Sequence, residues 1–170
     1  MSHPYMLRVL LAGALAVALV AVAAPPTTAP TASGADKLLE FRPGLDDLMT
    51  MLIQPRHNKL YFAGTRENWE LAASQARDLR LAFVRISQFM PRYLGIDVEE
   101  ALGSLMDPAL SNMDKAIAAA DPKQFALAYD VLTGACNRCH AYLEHGYLVI
   151  KRPPSSASAL YPDQEFGGSP

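Results

Sequence analysis

Residues 136–140 read Cys-Asn-Arg-Cys-His, and the two cysteines of this pentapeptide are the only ones in the chain. C-x-x-C-H is the pattern of covalent haem attachment, and its spacing has a physical reason. On a helix, positions i, i+3 and i+4 share a face, so Cys136, Cys139 and His140 point the same way. Two thiols on one face can add to the two vinyl groups of a single porphyrin, and the adjacent imidazole then becomes the proximal iron ligand. One covalent haem c is the cofactor this predicts. Gly134 and Ala135 are small enough to let a flat ring approach the backbone, or equally to serve a helix–helix contact. A dithiol–disulfide centre is disfavoured because such a centre opens a helix, where the dipole lowers the thiol pKa. A zinc site would need ligands beyond the motif, and only His57 and His145 remain in the domain to supply them.

The elements that must position this motif read as four amphipathic helices. The first runs from Leu45 to about Phe62, carries Leu48, Met49 and Leu52 on one face, is kinked by Pro55 and ends at Gly64. The second is capped by Thr65 and continues to about Met90, with Trp69, Ala76, Leu79, Phe83 and Ile86 inward. The third opens at Asp97 with Glu100 as a capping box and is bent at Asp107-Pro108 without losing its pattern. The fourth opens at Asp121-Pro122, carries the motif late in its course to about His145, and is closed by Gly146. Short connections make sequence neighbours antiparallel, so the predicted fold is all-α, an antiparallel up-down-up-down four-helix bundle over residues 41–149.

That topology suggests a sixth iron ligand. His140 lies about five residues from the end of the last helix, which matches its level to Leu48–Met51 on the first. Met49 is on the apolar stripe and is the candidate distal ligand, with ordinary core packing as the alternative. His57, about 12 Å further along by the same rise, is the runner-up, or else a satisfied structural histidine. His145 is off the face of His140 and is expected to be exposed.

A last helix ending in Gly-Ala-Cys-Asn-Arg-Cys-His, with an aromatic at Tyr142, resembles the class II cytochromes c, namely cytochrome c-prime and its low-spin relatives. The likeness covers about residues 40–147, and its motif-grade part is 134–142. It implies haem thioethers at Cys136 and Cys139, His140 as proximal ligand, and the Leu48–Met51 stretch on the distal side. Low-spin members transfer electrons with a methionine ligand; high-spin members bind nitric oxide or carbon monoxide; many are homodimers. The stretch from Ile53 to Gly64 and the tail after Ile150 depart from that family's ordinary pattern.

The flanking residues carry their own signals. Residues 1–24 read as a bacterial secretory signal peptide: Arg8, an apolar run from Val9 to Ala23, and an A-x-A site at Ala21–Ala23. The run falls short of the roughly 20 residues of a spanning helix, so a periplasmic destination with no further membrane association is expected, with an uncleaved anchor as the alternative. Residues 25–40 are a Pro-, Thr- and Ala-rich leader. Residues 150–170 form a Pro/Ser-rich tail, either disordered or a strap whose Tyr161 and Phe166 pack on the bundle. With 15 basic and 17 acidic side chains and no basic cluster, nucleic acid is not an expected partner. No hydrolytic triad, phosphate-binding loop or paired carboxylate points to an enzyme. The expected role is therefore electron transfer with redox protein partners. The alternatives are NO or CO binding, or service as an accessory haem subunit of a larger complex.

Overall fold

Helices account for most of the described residues of the computed structural model, which are 42–154 and 160–167. The secretory signal and the leader expected over residues 1–40 lie outside the described residues. The elements are α1 (Leu45–Leu48), a π-helical turn (Met49–Ile53), α2 (Gln54–Thr65), α3 (Trp69–Phe89), β1 (Arg92–Tyr93), β2 (Ile96–Asp97), α4 (Val98–Ala118) and α5 (Pro122–Tyr142). The helices α2 and α3, α3 and α4, and α4 and α5 pack on one another, and α2 also packs on α5. Their inward stripes meet in one core that includes Leu60, Leu79, Ile86, Met106, Leu110, Met113 and Leu132, all 2 % exposed or less. Among the described residues no helix is long and apolar enough to cross a membrane.

Two helix starts follow from single residues. The carboxylate of Asp97 accepts from the Glu100 amide at 3.0 Å. That of Asp121 accepts from Lys123 at 2.8 Å and Gln124 at 3.2 Å, with Pro122 at the first helical position, where a missing N–H costs nothing. Pro108 lies inside α4 and the helix continues past it.

The rest departs from expectation at the ends. The expected kink at Pro55 is replaced by the wider π-helical turn immediately before it, in which the Gln54 amide donates to the carbonyl of Met49. Pro55 has no N–H to continue the α-helical ladder, so the carbonyls one turn back must be used differently. Within the same turn the Arg56 guanidinium donates to the Leu52 carbonyl at 2.6 Å. Gly64 does not end the helix: it is buried within α2 with the ring of Phe125 over the place where a Cβ would sit. The chain turns instead at Glu67, whose φ is +57°. Thr65 belongs to α2, its hydroxyl donating back to Tyr61 at 2.9 Å, and the cap of α3 is Asn68, which accepts from the Leu71 amide at 3.1 Å.

The helix carrying the motif stops at Tyr142, earlier than expected. Glu144, not Gly146, takes the left-handed conformation (φ +63°), and the amides of Glu144 and His145 donate to Ala141 and His140 at 3.3 and 2.7 Å, a Schellman ending. The purely helical expectation also missed a short antiparallel ribbon, Tyr93 opposite Ile96 and Arg92 opposite Asp97. Leu94 and Gly95 form its two-residue turn, both at positive φ, as the twist of a tight hairpin demands.

Candidate functional site

Cys136 and Cys139 are both free thiols facing the core from α5, 9 % and 4 % exposed. They sit there because α5 presents Phe125, Ala128, Tyr129, Leu132, Ala135, Cys136, Cys139 and Leu143 inward at helical spacing. Burial pushes the Cys136 thiol up to about 12 and raises that of Cys139 as well. Both are therefore neutral thiols at physiological pH, the opposite of the electropositive setting that activates a redox dithiol. Among the described residues no group of three or more His, Cys, Asp or Glu side chains comes together as a metal site.

His140 follows on the same stripe, half-buried. Its Nδ1 lies 2.7 Å from the backbone carbonyl of Leu148. A carbonyl only accepts, so Nδ1 carries the proton and donates, and the basic lone pair of the ring is on Nε2. This is the arrangement in which metal-bound histidines are usually held, with the outer nitrogen donating to a carbonyl that fixes tautomer and ring orientation. The donor set (two neutral thiols and an imidazole with Nε2 available, all within five residues of one helix) therefore fits a covalently attached haem.

The two other sequence-predicted residues lie elsewhere along the first helical run. Met49 opens the π-helical turn, is half-buried against the core, and its turn packs chiefly on α1, α2 and α3. His57 is brought directly onto the motif helix. It is 3 % exposed, with Nε2 3.1 Å from Thr133 Oγ1 and Nδ1 2.9 Å from the hydroxyl of Tyr129. That hydroxyl also lies 3.0 Å from the carbonyl of His57 itself. Burial lowers the His57 pKa to about 4, so the ring is neutral, and both its nitrogens are occupied. Among the described residues no buried side-chain polar atom lacks a partner, as expected of a cluster sealed from water.

His145 is not the exposed residue expected. It is half-buried between two tyrosines, Nε2 2.7 Å from Tyr93 and Nδ1 2.9 Å from Tyr147. The reversal at Glu144 turns it back toward the ribbon. The tail also returns: Tyr161 and Phe166 pack on Phe62 with ring centroids 6.3 and 5.4 Å away, and Phe166 is 2 % exposed.

Sequence reasoning passed over Tyr129, Thr133, Asn137 and Leu148. The first two carried a signal, since Tyr129, Thr133, Cys136 and His140 recur at spacings of four, three and four, a polar thread within an apolar stripe. Asn137 and Leu148 carried none, because their roles depend on how the chain returns after α5. No protein-family model, curated protein or solved structure matches this chain.

Proposed function

We propose that this chain is a monohaem c-type cytochrome of the bacterial periplasm that carries single electrons between redox proteins. We further propose that its helices form an antiparallel up-down-up-down bundle of the class II cytochrome c kind. The observation that carries the reading is the bond from His140 Nδ1 to the Leu148 carbonyl, beside two neutral thiols on the same helix face. In this reading Cys136 and Cys139 hold the haem c through thioethers and His140 offers Nε2 to its iron. Haem, when bound, supplies a one-electron iron couple. The protein excludes water from the cysteine side with the α5 core stripe, and fixes the imidazole from behind with Leu148. The apolar run and A-x-A site within residues 1–24 support export.

Met49 is the preferred distal ligand over His57, because His57 would have to give up two buried hydrogen bonds to reach iron. The levels agree. From Thr133, opposite His57, two turns along α5 lead to His140, and two turns back from His57 along an antiparallel first helix lead to Met49. A second reading, binding of NO or CO on the distal side, is favoured by the π-helical turn that carries Met49. Such turns bond less regularly than α-helix and often mark functional positions.

The test is purification from a host that matures c-type haems. A red protein whose colour stays with the polypeptide through acid–acetone extraction is the expected result. A colourless product, or one that releases its pigment, overturns the reading.

A further inference from the structure

After the reversal at Glu144 the chain runs back along α5, and its attachments descend the helix in order. Leu148 meets His140. Ile150 meets Asn137 through two bonds, its carbonyl accepting from the Asn137 amide at 2.9 Å and its N–H donating to Asn137 Oδ1 at 2.7 Å. Arg152 meets Asp130, Nε to Oδ1 and Nη2 to Oδ2 both at 2.6 Å, and also donates to the Ala126 carbonyl at 3.2 Å. On its other side the Leu148 amide is tied to the carbonyl of His145 at 2.8 Å. The carbonyl that faces His140 is thus pinned between a helix-end turn and the pair of hydrogen bonds at Asn137.

Asn137 suits this task by its chemistry. A primary amide presents a donor and an acceptor side by side, the complement of the N–H and C=O that flank one residue of an extended chain. Aspartate would lose the donor, and an aliphatic side chain would lose both.

We propose that Asn137 is a positioning residue for the iron centre. By clamping both backbone groups of Ile150 it holds the Leu148 carbonyl against His140 Nδ1, which fixes the ring plane and makes Nε2 a stronger donor to iron. The proposal rests on the haem reading above. A stronger imidazole donor stabilises ferric iron, so loss of the clamp raises the midpoint potential.

The test uses the matured full-length protein and reads two quantities, amide exchange at Ile150 and midpoint potential. In Asn137→Ala the Ile150 amide exchanges at least about tenfold faster, and the ferric-to-ferrous ratio at fixed potential falls about tenfold, equivalent to about 59 mV for a one-electron couple. Arg152→Ala, which frees the strap beyond the clamp, leaves the potential unchanged. An unaltered potential in Asn137→Ala overturns the proposal, and so does an equal shift in Arg152→Ala. If Asn137→Ala does not accumulate, Asn137→Ser, which adds no charge and is too short to bridge both backbone groups of Ile150, shifts the potential the same way; no shift overturns the proposal. A colourless wild-type protein refutes the haem reading alone. The clamp is then judged by the ¹⁵N resonances of the His140 ring, which leave the Nδ1–H tautomer in Asn137→Ala or, by staying, refute it.

Discussion

The Nδ1 atom of His57 lies 2.9 Å from the hydroxyl of Tyr129, two turns before Cys136 on the motif helix. Burial holds this imidazole near a pKa of about 4, against 6.5 for a free one. Between those values the unfolded chain binds a proton that the folded chain refuses, so stability falls as pH falls. The contribution is complete above about pH 7 and the loss reaches about 3 kcal/mol by pH 4. Urea denaturation at pH 7 and pH 4.5 should show this slope, and His57→Gln should flatten it while lowering stability at pH 7. A wild-type midpoint independent of pH would contradict the buried neutral ring.

Gly64 and Phe125 form a contact that admits no methyl group, because the ring of Phe125 occupies the position of a Cβ. Gly64→Ala should cost about 1–3 kcal/mol, the range for overpacking a filled core. Phe125→Leu in the same chain should recover part of that loss by vacating the ring. Additive costs in thermal denaturation would show that the two residues do not compete for the space.

Several turns use residues with a Cβ in the left-handed region: Glu67, Leu94, Ala120 and Glu144. A side chain there costs about 1 kcal/mol, which glycine avoids and asparagine reduces. Glu67→Gly and Leu94→Asn should each raise the melting temperature, and the two sites, on separate turns, should add. A fall in either variant would place that residue outside the left-handed region.

On the proposed reading, Met49 decides between electron carrier and gas binder. The wild-type ferrous spectrum should be low-spin and unchanged by carbon monoxide. Met49→Ala should become high-spin and respond to the gas, whereas His57→Gln should keep the wild-type spectrum. If Met49→Ala retains that spectrum, the sixth ligand is another group. If the wild type already responds to the gas, the distal side is open to ligands.

The parts of this fold that could be read from sequence are those governed by adjacent residues. Asp97 and Asp121-Pro122 start helices through bonds within three positions, and the apolar stripe of α5 needs only its own period. Two of the errors came where glycine was read as punctuation. Gly64 is small for the sake of Phe125, distant in sequence, and Gly146 follows a reversal already made by Glu144. A left-handed glutamate has no sequence signature. Likewise, C-x-x-C-H announced Cys136, Cys139 and His140, while the bonds from His57 to Thr133 and Tyr129 join residues more than seventy apart and appear only when α2 meets α5. The π-helical turn was foreshadowed by Pro55, but a proline alone does not distinguish a bend from a widened turn.

The burial of Cys136 and Cys139 also dictates an order of events. A sulfur buried on the inner face of α5 offers little surface to a ligase or bulky reagent while the core stays closed. On the proposed reading, thioether formation must precede the last stage of packing, and the chain must be met while still loosely assembled. In protein left without pigment, the pace at which a thiol-specific alkylating reagent consumes the two cysteines becomes a clock for how often the core opens.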